Sequence, residues 1–415
     1  MTDSLRIQRK MHQTLCQHLP EKLSKPQRRN LSWVIAGLHQ AEHVHLSKVA
    51  SKRVGSATLE SKIRQVRRFF SNEQVDPQCC YEPVAELLLK QAAASGGPIR
   101  VLVDTLELSG ERQVLMAALA HRRRALPVCW QVRRRTGVSD AEQQRSLLEA
   151  LSERMPSSCA SGDIQSGDPQ VVVIGDGAFH STDLMGYLSD KGWSYRLRVH
   201  RDTYVRLSNG EWKQLGDFAP EEGGKNRYFD GVQVTKEDPY GPVSIAICHG
   251  EGEDGPWFIC TDQEEADYLT LRIYSRRTWI RELFGDLEDG GFRLNRSRLC
   301  QPERLSRLVM ALAWTYVWLM HVGVWVVKRG FRRLVGRTDR RDRSYPEIGR
   351  RYTQRCITNR AYAVDGRKCP LRARIGTQTS EVSESSGVYR GKCVSPNQRK
   401  TDPYRPQTLL LKTVR

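Results

Sequence analysis

The sequence predicts a mixed α/β protein: a small helical unit, then a mixed-sheet core interrupted by a β-rich insertion. Three observations carry this expectation. Residues 1–95 place apolar side chains at helical spacing. From Ile99 the pattern changes to short β-prone runs alternating with helical stretches. Residues 203–260 are β-rich and lead into a helical run and then a long apolar one.

The helical unit is read from its starts and faces. Ser24-Lys25-Pro26 is a helix start, with Ser as N-cap and Pro in the first turn. Leu31, Val34, Ile35 and Leu38 follow at helical spacing. Thr58 to Phe70 is a further helix, with Ile63, Val66, Phe69 and Phe70 inward and Arg64, Arg67 and Arg68 as a basic stripe. Ser95-Gly96-Gly97-Pro98 is a linker. The core begins with a meander: strands at Ile99–Asp104, Val114–Ala120 and Ala125–Val132, with His121-Arg-Arg-Arg as the turn between the last two. A helix spans Ala141–Arg154, and 157–168 is a polar loop. The continuous apolar run Val171–Ile174 suits a strand buried on both faces and ends at Gly175-Asp176-Gly177. A helix (Ser181–Ser189) and a strand (Ser194–Val199) follow.

In the β-rich stretch, Asn209-Gly210 marks a hairpin between 204–207 and 212–215. Further strands lie at Val232–Thr235, Val243–Cys248 and Trp257–Cys260. One helix is expected over about 264–288. The expected units are therefore 1–95, 98–202, 203–260, 261–350 and a basic segment 351–415, flexible from about 376, where Ser, Thr, Pro and Lys dominate without periodicity.

Composition narrows the partners. Among 415 residues, 66 Lys and Arg stand against 47 acids, a net charge of +19. Residues 1–75 hold 14 Lys and Arg and 5 acids, and residues 328–374 hold 16 and 4. Such an excess predicts attraction to a polyanion, with nucleic acid ahead of a membrane surface. The 11 cysteines show no Cys-x-x-Cys pair, which fits free thiols in a reducing cytoplasm. His43 and His45 lack the neighbours of a metal site. Leu308–Val327 is uncharged and long enough to span a membrane. Its Thr315, Tyr316 and His321 favour a buried core helix, and no membrane association is expected.

Tyr274 to Glu288 is the most informative stretch. Ile273, Ile280, Leu283, Phe284 and Leu287 share one helical face; Tyr274, Arg277, Arg281 and Glu288 line a neighbouring stripe. Upstream, Asp104 and Asp176 each follow a strand in an α/β unit. Carboxylates so placed, joined by a third acid, form a cage for divalent ions that activate a water or a 3′-hydroxyl for attack on a phosphodiester. Each Asp taken singly could equally cap the next turn.

These segments together resemble a known family. Val101-Leu-Val-Asp104-Thr105, Arg124-Ala-Leu-Pro-Val-Cys-Trp130, Val173-Ile-Gly-Asp176-Gly-Ala-Phe179, Tyr274-x-x-Arg277, Phe284-Gly-Asp-Leu and Gly291-Phe-Arg-Leu are similar to DDE transposases of bacterial insertion sequences. The nearest subgroup is the insertion-sequence-4 type, with its Tyr–Arg–Glu–Lys pattern. The likeness spans roughly 25–350. It implies a ribonuclease-H-like core, an N-terminal helical domain that binds the element's ends, and cut-and-paste strand cleavage and transfer. It also implies two Mg²⁺ ions (Mn²⁺ substituting) and a homodimer bridging two ends of double-stranded DNA. The setting would be the nucleoid of a bacterial cytoplasm. Asp104 and Asp176 match the first two acids, and Tyr274 and Arg277 match residues that contact phosphate. Trp257 matches in position a Trp that handles a flipped base in hairpin-forming relatives.

The last helix departs from the family pattern. Arg281 stands where the Glu is expected and Glu288 where the Lys is expected. Glu282 is the acid assigned here as third catalytic and metal ligand, after a local shift of the helix; Glu288 is the other candidate. The alternative is a transposase-derived DNA-binding protein that has lost cleavage.

Overall fold

The computed structural model describes residues 23–134, 137, 139–156, 170–249, 255–337, 339 and 343–358, together with residues 9, 12 and 13. The expected loop at 157–168 and the tail from 376 lie outside the described residues.

Four helices open the chain: α1 (Lys25–Ala41), α2 (Leu46–Ser51), α3 (Leu59–Phe70) and α4 (Pro77–Ala93). Ser24 caps α1 as expected, in a reciprocal box with Gln27. In α3, Val66, Phe69 and Phe70 are buried while Arg64, Arg67 and Arg68 are exposed. One mixed sheet follows, built from β1 (Ile99–Leu108), β2 (Arg112–His121), β3 (Arg124–Arg134), β4 (Val171–Gly175) and β5 (Ser194–Arg198). Helices α5 (Ala141–Ser152) and α6 (Thr182–Asp190) are interleaved with them. The β-rich stretch contributes β6 (Tyr204–Arg206), β7 (Trp212–Gln214), β8 (Arg227–Val234), β9 (Tyr240–His249) and β10 (Pro256–Thr261).

Strand order is β3-β2-β1-β4-β5-β10-β9-β8-β6-β7. β1, β4 and β5 run parallel at the centre, and β2 and β3 pair antiparallel beyond β1. This is the ribonuclease-H-like arrangement, preceded by N-terminal helices. The β-rich stretch joins the same sheet, because β10 pairs antiparallel with β5 through Ile259 and Arg198.

The remaining helices are α7 (Tyr268–Tyr274), α8 (Thr278–Leu287), α9 (Pro302–Lys328) and α10 (Tyr345–Thr358). Helices cover both faces of β3. Cys129 points its thiol at the Leu147 carbonyl of α5, while the next residue, Trp130, donates its indole N–H to Ser306 of α9 at 3.0 Å. The apolar helix α9 is long and apolar enough to cross a membrane, yet 83% of its most apolar window is buried. It is a core helix, as its internal polar residues suggested. It also anchors the helical unit: buried Arg307 donates to the carbonyls of Val75 at 2.8 Å and Phe70 at 3.1 Å. At its other end α9 crosses α10 so closely that only glycine fits at Gly323 and Gly349.

Two expectations need correction. β1 does not stop at Asp104 but continues to Leu108, because its outer edge goes on pairing with β2 after the parallel pairing with β4 has ended. The helix expected over 264–288 is two helices around a 3₁₀ turn at Ser275–Arg277. Hydroxyls bond across the interruption: Ser275 Oγ donates to the Arg272 carbonyl and Thr278 Oγ1 to the Ser275 carbonyl, at 2.8 and 3.0 Å. α10 runs through residue 350, from Tyr345 to Thr358.

Candidate active site

The site begins with strand register. β1 and β4 are parallel, and their last paired residues are Val103 and Gly175. The next residue on each strand is an aspartate, so Asp104 and Asp176 sit side by side where the parallel pairing ends. Gly175 permits this packing: a Cβ there would stand 2.9 Å from both Leu197 and Phe179 side-chain carbons and 3.1 Å from Val103.

The two carboxylates differ. Asp104 is 9% exposed, and its Oδ1 accepts the Thr105 N–H at 2.8 Å. Burial raises its pKa to about 6, and neighbouring Asp176 adds to the rise; the Arg277 charge and the Thr105 hydrogen bond oppose it. Asp176 is more open. Its Oδ1 accepts the Gly177 N–H at the start of a short 3₁₀ turn. Its Oδ2 meets Arg277 Nη2 at 2.8 Å and Arg281 Nη2 at 3.6 Å.

Both arginines come from the segment singled out in the sequence. Arg277 is buried at the end of the 3₁₀ turn, and its Nη1 donates to the Tyr274 hydroxyl at 2.8 Å. Burial disfavours the Arg277 charge, but Tyr274, Asp176 and Asp104 together outweigh it and hold the guanidinium firmly protonated. Burial pushes the Tyr274 hydroxyl up to about 12, so it stays a neutral phenol. Trp257 packs edge-on against Tyr274, with ring centroids 5.3 Å apart. Its indole N–H is buried without a hydrogen-bond partner. Asp104, Asp176, Arg277, Tyr274, Arg281 and Trp257 thus form one connected group.

Glu282 is not brought to this group. It lies one residue on from Arg281, about 100° around the helix, and its Oε2 pairs with Arg124 Nη2 at 3.1 Å. Arg124, at the start of β3, also holds Asp286 Oδ2 through Nε at 3.2 Å, and Asp286 accepts the Tyr316 hydroxyl at 3.1 Å. Glu288 terminates α8, where its backbone N–H donates to the Phe284 carbonyl at 2.9 Å. Arg64, Arg67 and Arg68 lie exposed on α3 in the helical unit. Sequence reasoning missed Arg124, Asp286 and Tyr316 as a unit. The available signal was that Glu282 and Asp286 are four residues apart and share a helix face.

Carboxylate oxygens are hard donors suited to Mg²⁺ or Mn²⁺. Asp104 and Asp176 on adjacent strands fit a divalent ion held between them, provided the two guanidiniums release Asp176. Among the described residues no three His, Cys, Asp or Glu side chains cluster as a metal site, so a third acidic ligand is not assembled.

Comparison with known proteins bears on this arrangement. No curated protein matches the chain. The family described as "Transposase DDE domain" matches residues 110–318, half of the chain. The match takes in Asp176, Tyr274, Arg277 and Arg281, and starts just after Asp104. Members of this family generally use divalent metal ions and act on DNA. With the ribonuclease-H-like strand order and paired aspartates already described, the chain belongs to the DDE-domain transposase family.

Proposed function

We propose that the chain is the transposase of a bacterial insertion sequence of the insertion-sequence-4 type, cleaving DNA strands at the element's ends and transferring them to a target. The observation that carries this reading is the convergence of Asp104 and Asp176 beneath Arg277 and Tyr274. The aspartates would hold Mg²⁺, with Mn²⁺ as substitute. When bound, the ion would activate the attacking hydroxyl and steady the leaving oxygen. Arg277, kept charged by its acidic surroundings, is placed to take a phosphate oxygen once it leaves Asp176. Tyr274 orients that guanidinium through its hydroxyl, and Trp257 packs behind Tyr274. The exposed arginines of α3 supply phosphate contacts for end binding by residues 1–95. Two copies would bridge two ends.

A second reading has its own observation. Arg281 faces Asp176 where the family's third acid is expected, and Glu282 is held by Arg124. A cation there repels a divalent ion. On this reading the protein binds DNA ends but no longer cuts them.

One assay separates the two: cleavage of DNA carrying the element's ends, with Mg²⁺ or Mn²⁺. In the transposase reading the wild type cuts, and Asp104→Ala or Asp176→Ala abolishes cutting while end binding persists. Cutting that survives both substitutions rejects the aspartate assignment. A wild type that binds but never cuts supports the second reading, and loss of cutting in Glu282→Ala would show that Glu282 is recruited in the DNA complex.

A further inference from the structure

A second basic centre lies where the helical unit meets the core. The turn between α1 and α2 carries His43, Val44 and His45. Val44 donates its N–H to the Phe292 carbonyl at 2.9 Å, which ties this turn to the loop following α8. Val44 and Phe292 are buried, whereas Arg293 and Arg296 on that loop are exposed, as is Lys48 on α2. Of the acids flanking these segments, Glu42 and Asp289 have partners, and half-buried Glu288 stands beside Asp289 at the end of α8. Glu42 pairs with Arg350, and Asp289 accepts the Asn295 amide at 3.3 Å.

His43 sits at the floor of this surface. It is 6% exposed, and its Nδ1 accepts the His45 backbone N–H at 3.0 Å. An accepting nitrogen carries no proton, so His43 is the neutral tautomer with its proton on Nε2, and that N–H is a donor. Burial lowers its pKa, and Lys48, Arg293, His45 and Arg296 each lower it further. Several positive groups crowd one spot, an arrangement that an arriving anion relieves.

We propose that His43, Lys48, Arg293 and Arg296 form a seat for the phosphodiester backbone of duplex DNA, spanning the joint between the helical unit and the core. The proposal rests on the DNA-handling role above but not on cleavage. The cations are spread over two segments on an open surface, which suits successive phosphates along a strand more than one enclosed anion. The loop bearing Arg293 and Arg296 continues directly from α8, which bears Arg281. A duplex seated here is therefore gripped by both parts of the protein and held in fixed relation to Asp104 and Asp176.

The test is duplex binding by fluorescence anisotropy across a salt series, using the full chain without divalent ions. Each phosphate contact contributes about 0.9 to the slope of log affinity against log salt. Arg293→Gln with Arg296→Gln should lower the slope by about 1.8, and Lys48→Gln alone by about 0.9. Arg145→Gln, at an exposed position of α5, should leave the slope unchanged. The four substituted residues, Lys48, Arg145, Arg293 and Arg296, are exposed, so the variants should keep the wild-type circular dichroism spectrum and melting temperature. Unchanged slopes in the seat variants would overturn the proposal. So would an equal drop in Arg145→Gln, which would mean general charge and not a seat. Displacement of duplex by inorganic phosphate at constant ionic strength would indicate a single-anion pocket and would also overturn it. Cleavage is scored separately: a chain that never cuts but shows the slope changes loses the transposase reading and keeps the seat, and the reverse result loses only the seat.

Discussion

Arg281 directs its Nη2 to within 3.6 Å of Asp176 Oδ2, from the helix position where a third acid would complete the site. The guanidinium and Arg277 share one carboxylate oxygen, so both compete with any cation for it. Arg281→Glu replaces that competitor with a ligand on the same face. It should tighten Mn²⁺ binding by about tenfold or more, measured by calorimetry on the DNA-free protein. It should also create or raise cleavage. Unchanged Mn²⁺ affinity would mean that position 281 does not reach the shared site in solution.

Asp104 gives a pH signature. The folded protein keeps its proton up to about pH 6, while the ordinary carboxyl value is 3.8. Between these values the unfolded chain has lost the proton and the folded chain has not. Stability therefore falls as pH rises through that window, by up to about 3 kcal/mol, and the deficit is complete above pH 6. Asp104→Asn removes the ionisable group. It should raise the melting temperature at pH 7 in the presence of a chelator and change it little near pH 4. Equal effects at both pH values would show that burial does not perturb Asp104.

How much of this was legible in the sequence varies from residue to residue. Asp176 could be found because Val171–Ile174 is a continuous apolar run closed by Gly-Asp-Gly, a pattern set by local strand chemistry. Of the stripe Tyr274, Arg277, Arg281 and Glu288 read from helical spacing, Arg277 and Arg281 reach Asp176 and Tyr274 bonds Arg277, whereas Glu288 ends α8. The extent of β1 was not, since its continuation past Asp104 depends on pairing with β2. The destination of Glu282 was not either. It is set by Arg124, and the same arginine reaches Asp286 across 162 residues of sequence. The break at Ser275–Arg277, where hydroxyls bond the preceding turn's carbonyls, leaves the apolar periodicity unchanged and so is concealed by it.

The crossing of α9 and α10 makes a prediction independent of function. A Cβ on Gly323 would overlap the Tyr345 carbonyl oxygen, and one on Gly349 would overlap the Leu319 carbonyl oxygen. Both obstacles are backbone atoms, which cannot rotate away as a flexible side chain could. Gly323→Ala and Gly349→Ala should each cost about 3 kcal/mol or more by forcing the helices apart. Gly285→Ala, where a Cβ meets nothing within 4 Å, is the control and should be neutral or slightly stabilising. Denaturant unfolding of the three variants checks the ranking.

Arg124 joins β3 to α8, and Asp286 carries the link on to Tyr316 of α9. It neutralises Asp286, whose pKa burial raises, and Asp286 in turn accepts the hydroxyl of fully buried Tyr316. Arg124→Gln leaves Asp286 without its cation and should destabilise the protein by about 1–3 kcal/mol, less than for a fully dry pair because Asp286 retains some solvent contact. Asp286→Asn added to Arg124→Gln should restore part of the loss, since no unpaired charge is then left. A double-mutant cycle by urea unfolding measures this coupling. The same substitution releases Glu282 from its ion pair. If Arg124→Gln destabilises the protein while Arg124→Gln with Asp286→Asn is no better, the cost lies in lost packing of the Arg124 stem and not in the ion pair.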